Sequence, residues 1–462
     1  MAIVDVIDAK EIIKNQRSFF NTQKTKDIKF RKSQLRLLKS ILTRHESEFF
    51  QALKRDLGKS EYESFGSEIA QVKDEINFTL KNLNYWSAPE RVPAAWVSFP
   101  SRHYIYSEAY GVVFIIGAWN YPVLLTLSPL VGAIAAGNCA IVKPSELSIN
   151  TSHLLANLFS KYFDPCYLKI AEGGPDVNQD FLHSQIDYIF FTGSPRVGKI
   201  VMKAAAENLV PVTLELGGKS PCIVDEDANL KISARRVLFG KMLNAGQTCI
   251  APDFLLVHEK VKEKFLDLLT KRIDELYGEN PLAHEDIGNI VNENHFNRLI
   301  KYLSDGNIVK GGQFDKESLK IAPTLIDGIS WDDAVMQEEI FGPVMPIISF
   351  TDLEATIRML NEMEKPLAAY YFSSSKKKQE EVIKKLKFGG GVMNDAIFHF
   401  GNPELPIGGI GNSGMGRYHG KYSFDTFSHK KSIVKKPYYL DLSLRYPPFK
   451  NKLKFLRWIF KL

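Results

Sequence analysis

Residues 186–224, IDYIFFTGSPRVGKIVMKAAAENLVPVTLELGGKSPCIV, decide the fold. The run IDYIFFTG is apolar without alternation, the pattern of a strand covered by helices on both faces of a parallel sheet. A helical stretch, GKIVMKAAAENL, follows it, and PVTLEL and SPCIVDED return as strands. That alternation is the βαβ rhythm of a doubly wound α/β domain.

The same rhythm runs upstream. Between Ala109 and Val142 there is no charged residue, enough apolar chain to suggest a transmembrane helix. Asn120, Pro122, Pro129 and several glycines break the run into YGVVFIIGA, WNYP, VLLTLSPLVGAIAAG and NCAIVKP, which fit a strand, a loop, a helix and a second strand. A dinucleotide-type fold is therefore expected before about Gly217. Lys10 to Leu57 has apolar residues at helical spacing with a glycine stop at Gly58, as covering helices would. After Cys249 a second α/β rhythm begins: FLLVHE, the helical VKEKFLDLLTKRIDELYG, MPIISF, a helix after Thr351, and LAAYYFS.

A chain of 462 residues has room for two or three domains, and its 45% hydrophobic and 24% charged content excludes disorder and collagen-like repeats. Its four cysteines, Cys139, Cys166, Cys222 and Cys249, form no CxxC or Cys/His cluster, so neither a disulfide framework nor a metal site is expected. Cys139, Cys166 and Cys222 read as buried packing residues. Asp5 and Asp8 fall where a signal peptide needs its apolar core, which points to a cytoplasmic protein. The net charge of +6 owes most to Lys450, Lys452, Lys454, Arg457 and Lys461. Without that tail the protein is nearly neutral, and no nucleic-acid footprint remains.

FFTGSPRVGKI almost makes a P-loop, with Gly193 and Gly198 bracketing four residues before Lys199. Ile200 stands where a P-loop needs Ser or Thr, which disfavours nucleotide hydrolysis. What survives is a strand, a Gly-Ser turn and a helix amino terminus that could meet a phosphate. Glu215 ends PVTLEL, at the strand edge where α/β proteins build sites. On this segment alone a salt-bridged structural carboxylate explains it as well as a general base does. Cys249, in NAGQTCIAP, sits among turn and polar residues. A single cysteine is more often core, but an accessible thiol in such a loop, held as thiolate by backbone N–H groups, suits covalent catalysis.

Seven segments in series, GAWNYP, GNCAIVKPSE, FTGSPRVGK, LELGGKSP, NAGQTCIAPD, QEEIFGPV and GNSGMGRYHGKYSFDTFSH, resemble the aldehyde dehydrogenase superfamily, most closely its class 3, fatty-aldehyde-type branch. The resemblance covers nearly the whole chain. It implies that Cys249 is the nucleophile, Asn120 the oxyanion donor and Glu215 the base that activates the hydrolytic water. It assigns Lys143 and Glu146 to the adenosine ribose, Gly193, Ser194 and Gly198 to the pyrophosphate turn, and Glu339 and Phe341 to the nicotinamide end. Phe239, Leu243, Ile397 and His419 become candidates for the substrate pocket.

The resemblance further implies oxidation of medium- to long-chain or aromatic aldehydes to acids with NAD. Arg196 supplies a cation that would suit NADP, whereas the Glu146 carboxylate prefers a 2′-hydroxyl. A homodimer is expected. So is a division into a dinucleotide-binding domain over 1–86 and 110–216, a catalytic domain over 217–410, a small β oligomerisation element over 87–109 and 411–440, and a basic tail over 441–462.

Two other readings compete: a coenzyme A-acylating enzyme, which Glu215 argues against, and an inactive membrane-associated scaffold. In the tail, PPFKNKLKFLRWIFKL, about 100° per residue gathers Lys450, Lys454, Arg457 and Lys461 in one sector, with Lys452 alone among the apolar residues. Lys450 to Leu462 is too short to span a bilayer but fits an interfacial helix on an anionic membrane surface, which would make the protein peripheral. Docking on its own subunit or on a partner subunit is the alternative.

Overall fold

The computed structural model describes residues 8–95, 98–441 and 443–460, the side chain of Ile459 excepted. Asp5, Lys461 and Leu462, used in the readings above, lie outside the described residues.

Two sheets form the body. The first has six strands in the order Gly414–Met415, Val212–Leu216, Tyr188–Gly193, Val112–Ile116, Cys139–Lys143 and Leu168–Ile170. The last five are mutually parallel and Gly414–Met415 is antiparallel. From Val112–Ile116 the chain builds outward through two strands, then returns to the other side of it, so a topological switch point lies at the sheet centre. The second sheet has seven strands in the order Asn307–Lys310, Thr324–Asp327, Val344–Phe350, Phe254–His258, Pro221–Val224, Ala368–Phe372 and Gly390–Met393, all parallel except the first.

The segment 109–142 divides as its sequence suggests. Val112–Ile116 and Cys139–Lys143 pair as buried strands, and all thirteen residues of the connecting helix Leu124–Ala136 are buried. Gly137, at φ +96°, ends that helix, and Asn138 ties the turn by accepting from Gly111 N (3.0 Å) and donating to Phe427 O (2.9 Å). Helices Ala9–Asn21, Ile28–Arg44 and Glu46–Leu57 cover this part, and Gly58 at φ +67° caps the third.

SPCIVDED continues the βαβ rhythm in sequence but changes sheet in space. Leu216 closes a strand of the first sheet and Pro221 opens a central strand of the second. The carboxyl edge of the first sheet thus leads directly to the amino edge of the second. A third, antiparallel sheet joins Glu90–Val92, Arg102–Ala109 and Ser428–Lys435, the last two in register over eight pairs. Among the described residues nothing pairs with the outer edge of Ser428–Lys435.

Among the described residues of the tail, the α-helix runs over Leu453–Phe460, after a short 3-10 turn at Ser443–Arg445. Lys452 is not in that helix: its Nζ donates to Ser443 O (2.9 Å) and Tyr446 O (2.8 Å), which removes it from the apolar side. Leu453, Phe455 and Trp458 are all exposed. Among the described residues no helix is long and apolar enough to cross a membrane.

Cys139 and Cys222 are fully buried in strands, and burial pushes the Cys139 thiol up to about 12. Cys166 differs from the packing role expected of it. It lies half-buried in a turn, where its N–H donates to Asp164 Oδ1 (2.9 Å). Cys139→Ala and Cys222→Ala should each lower unfolding free energy by about 1 kcal/mol in urea titration, with catalysis intact, and Cys166→Ala should cost less.

Candidate active site

At the junction of the two sheets the backbone is unusual. Helix Leu230–Met242 runs into the turn Leu243–Gly246, in which Asn244 (φ 55°), Ala245 (φ 52°) and Gly246 (φ 75°) are all left-handed. Left-handed non-glycine residues persist only where their surroundings over-determine them. Here Asn244 N donates to Glu63 Oε1 (2.5 Å), and Asn244 Nδ2 to Asn120 O (2.7 Å) and Gln247 O (3.1 Å). Gln247 Nε2 donates to Asn244 O (3.1 Å) and Asn289 O (3.0 Å), while its Oε1 accepts from Val291 N (3.0 Å). At Gly246 a Cβ would strike the Gly342 carbonyl, so only glycine fits.

This turn delivers Cys249. Asn120, on the loop after the Val112–Ile116 strand, is buried, and its Nδ2 donates to Gln247 O (3.0 Å), two residues before the thiol. An amide nitrogen carries two hydrogens, so one remains for another acceptor. The neighbouring Tyr121 hydroxyl shares a hydrogen bond with Thr248 Oγ1 (2.6 Å). The Cys249 side chain is partly accessible and packs against the apolar cluster between the second sheet and the helices Leu230–Met242 and Lys262–Tyr277, where Leu243 and Phe400 also touch the apolar cluster of the first sheet.

Two carboxyl groups face this region. Glu215 sits in the Val212–Leu216 strand, buried, with Oε1 lacking any partner, and desolvation raises its pKa well above the usual carboxylate range. Glu339 lies so close over Gly217 that a Cβ there would strike its Oε2. Desolvation, reinforced by Asp253, lifts its pKa to about 8 against the opposing N–H of Gly218. These groups correct the expectation of a resting thiolate. Desolvation, then Glu339 and Glu215, push the Cys249 thiol up to about 12, outweighing the N–H groups of Cys249 and Ile250.

Sequence reasoning missed Lys241, since nothing in GKMLNAGQTC distinguishes it from a solvated lysine. It is buried, its Nζ has no hydrogen-bond partner, and desolvation lowers its pKa to about 8 despite Asp253 and Glu339 nearby. Tyr418 was missed too. It is buried within electrostatic reach of Glu215 and Cys249.

The parallel strands of the first sheet bring Lys143, Gly193 and Glu215 to one carboxyl edge, beside the switch point where α/β sheets bind dinucleotides. Lys143 is buried and ion-paired with the partly exposed Glu146 carboxylate. Ser194 caps the helix Pro195–Glu207 through Val197 N (3.4 Å), leaving the first turn open to a phosphate. Gly198 departs from a pyrophosphate role. It faces inward, where a Cβ would meet Leu216 Cδ2 at 2.7 Å, and so serves close helix–strand packing. Phe341, at φ +53°, packs edge-on against Trp119 (centroids 5.3 Å), which also touches His295 (5.4 Å). The Lys143–Glu146 pair and the open helix terminus fit a nicotinamide dinucleotide, which Lys143, Glu146, Ser194, Glu339 and Phe341 would hold.

An apolar cluster packs around the thiol loop. Ile397, buried at φ +57°, and Leu243 pack beside Cys249 in this cluster. Phe239 stands at the surface, its ring parallel to that of Phe398 (5.7 Å, 12°). His419 adjoins this group through Phe400. It is buried with Nε2 3.7 Å from Glu75 Oε2 and its ring against Phe400 (5.2 Å), and burial lowers its pKa to about 4.

With the thiol's pKa raised, only a small thiolate fraction exists at neutral pH, growing tenfold per pH unit. Alkylation of Cys249 by iodoacetamide in the free protein should rise log-linearly with pH through pH 9. A plateau below pH 8 would show a low-pKa thiol instead.

Comparisons with known proteins agree with this geometry. The Aldehyde dehydrogenase family profile matches residues 2–433. The chain is 48% identical over 449 residues to 4,4'-diaponeurosporen-aldehyde dehydrogenase of Staphylococcus aureus, covering 97% of this chain and 98% of the relative. It is 43% identical to "Aldehyde dehydrogenase, dimeric NADP-preferring" of Canis lupus familiaris, covering 96% and 98% respectively. A solved structure described as the substrate-bound state of Staphylococcus aureus AldH superposes with a TM-score of 0.96 at 46% identity, covering both chains fully. The chain therefore has the aldehyde dehydrogenase fold, belongs to the aldehyde dehydrogenase family, and oxidises aldehydes to carboxylic acids with NAD or NADP.

Proposed function

We propose that the enzyme oxidises apolar aldehydes, of medium to long chain or aromatic, by covalent catalysis at Cys249, with NAD preferred. The observation that carries this reading is the unpartnered, desolvated Glu215 carboxyl within electrostatic reach of the partly accessible Cys249 thiol. Cys249 Sγ attacks the carbonyl carbon, and the negative charge that develops on oxygen is met by the Asn120 amide and the Cys249 N–H. One such donor contributes roughly 3–4 kcal/mol to the transition state. The thiol proton passes to Glu215 in its carboxylate form and on to solvent, so that the same group is free to take a proton from water later. A nicotinamide held by Glu339 and Phe341 would supply the hydride acceptor, and Cys249 would then carry the acyl group as a thioester. Glu215 then takes a proton from water, whose hydroxide displaces the thiolate and yields the acid.

The apolar character of the substrate rests on Leu243, Ile397 and the stacked Phe239–Phe398 pair, and the name of the Staphylococcus relative points the same way. For the coenzyme, the Glu146 carboxylate beside Lys143 favours a ribose 2′-hydroxyl over a phosphate.

A homodimer through the bare edge of Ser428–Lys435 suits a strand that would otherwise expose unpaired backbone groups. The tail is the proposed contact with an anionic membrane surface. Its exposed Phe449, Leu453, Phe455 and Trp458 beside Lys450, Lys454 and Arg457 favour an interfacial helix over docking on its own subunit.

Glu215→Gln should give a burst of NADH of about one equivalent followed by little turnover, and Cys249→Ala should give neither while still binding NAD. Steady wild-type turnover in Glu215→Gln would remove it from hydrolysis. Deleting residues 450–462 should abolish co-sedimentation with anionic vesicles and weaken use of long-chain aldehydes only. Equal sedimentation of the two proteins would leave docking on a partner subunit as the tail's role.

A further inference from the structure

We propose that the buried Lys59–Glu68 ion pair is the positioning device of the oxyanion site, holding the main chain at Asn120 so that its amide meets the thiol loop. The proposal rests on the reading of Asn120 as the oxyanion donor.

Lys59 and Glu68 are both fully buried, with Nζ to Oε1 at 2.6 Å. A buried pair of this kind is retained at a desolvation cost, so what else it holds is informative. Lys59 Nζ also donates to Asn120 O (3.0 Å) and stands 4.0 Å from the centroid of the Tyr121 ring. Glu68 Oε2 accepts from Val123 N (2.8 Å) and Leu124 N (3.3 Å), placing a carboxylate at the amino terminus of the buried helix Leu124–Ala136. The pair therefore grips the loop 120–124 from both ends. Asn120 and Tyr121 in turn reach Gln247 and Thr248, immediately before Cys249.

The local backbone is shaped for this grip. Residues Phe65–Ile69 form a π turn, with Ala70 N donating to Phe65 O. In a regular α-helix two residues five apart differ by about 140° around the axis. The wider turn draws Glu63 and Glu68 toward one side, Glu63 onto Asn244 N and Glu68 onto Lys59 and the 123–124 amides. π turns of this kind recur at functional sites. Neither side chain reaches the reacting atoms, so both act through Asn120.

The test is a double-mutant cycle in kcat/KM with NAD affinity measured alongside. K59M/E68Q removes both charges together and leaves an oxygen at position 68 for the helix amides, avoiding a lone buried charge. It should lower kcat/KM about 30-fold with the NAD dissociation constant unchanged, a substantial part of what one oxyanion donor supplies. Combined with N120A, the same pair should lower kcat/KM by less than about threefold further, because its effect runs through Asn120. An undiminished 30-fold loss on the N120A background, or wild-type kcat/KM in folded K59M/E68Q, overturns the proposal. Should K59M/E68Q fail to fold, Lys59→Arg carries the test. Its planar fork keeps the charge for Glu68 but redirects the donor to Asn120 O, so kcat/KM should fall about tenfold at unchanged melting temperature. Wild-type kcat/KM in that variant overturns the proposal as well. Full activity in N120A alone would instead break the assignment of Asn120 itself.

Discussion

The hydrogen bonds among Asn120, Asn244 and Gln247 hold the two halves of the molecule in working register. Asn120 belongs to the first sheet's loop and Asn244 and Gln247 to the approach to the second, yet each donates to a backbone carbonyl of another member. These bonds stabilise three successive left-handed residues that no isolated chain would adopt. Without them the thiol loop would lose its place at the carboxyl edge of the first sheet. The topology makes the arrangement efficient, since only four residues separate the end of one sheet's strand at Leu216 from the other's at Pro221.

Electrostatics at this junction are set by dehydration more than by ion pairing. Glu215 has no partner for Oε1, Lys241 none for Nζ, and Glu339 is opposed by only modest donors. Each is pushed toward its neutral form, and the thiol with them. Burial brings the Glu339 and Lys241 pKa values toward neutrality, the range in which a group can give and take protons, while it moves the thiol away from it. The resting thiol is also spared indiscriminate alkylation and oxidation, because thiolate rather than thiol is the reactive species.

Much of the architecture was legible because buried parallel strands announce themselves. GVVFIIG, CAIVKP, IDYIFFTG and LAAYYFS carry uninterrupted apolar residues, and every one is a strand. Asn307–Lys310 and Gly390–Met393 escaped because edge strands are short, partly exposed and carry little apolar signal. The catalytic candidates Cys249, Glu215 and Asn120 stood out from motif chemistry and resemblance. The state of the thiol did not, because its pKa is raised first by burial and then by Glu339, ninety residues away in the chain but close in space. The π turn at Phe65–Ile69 and the burial of Lys59 and Lys241 were equally hidden, since a lysine's sequence neighbours do not reveal who desolvates it.

The central claim is that Cys249 carries the acyl group during turnover. Acid-quenching the wild-type enzyme in the steady state with NAD and a medium-chain aldehyde, followed by peptide mass spectrometry, tests it most directly. The account predicts an acyl adduct on the peptide containing Cys249, dependent on NAD and absent before aldehyde is added. An acyl adduct on a different side chain, or turnover with no adduct on Cys249 at any quench time, would contradict it.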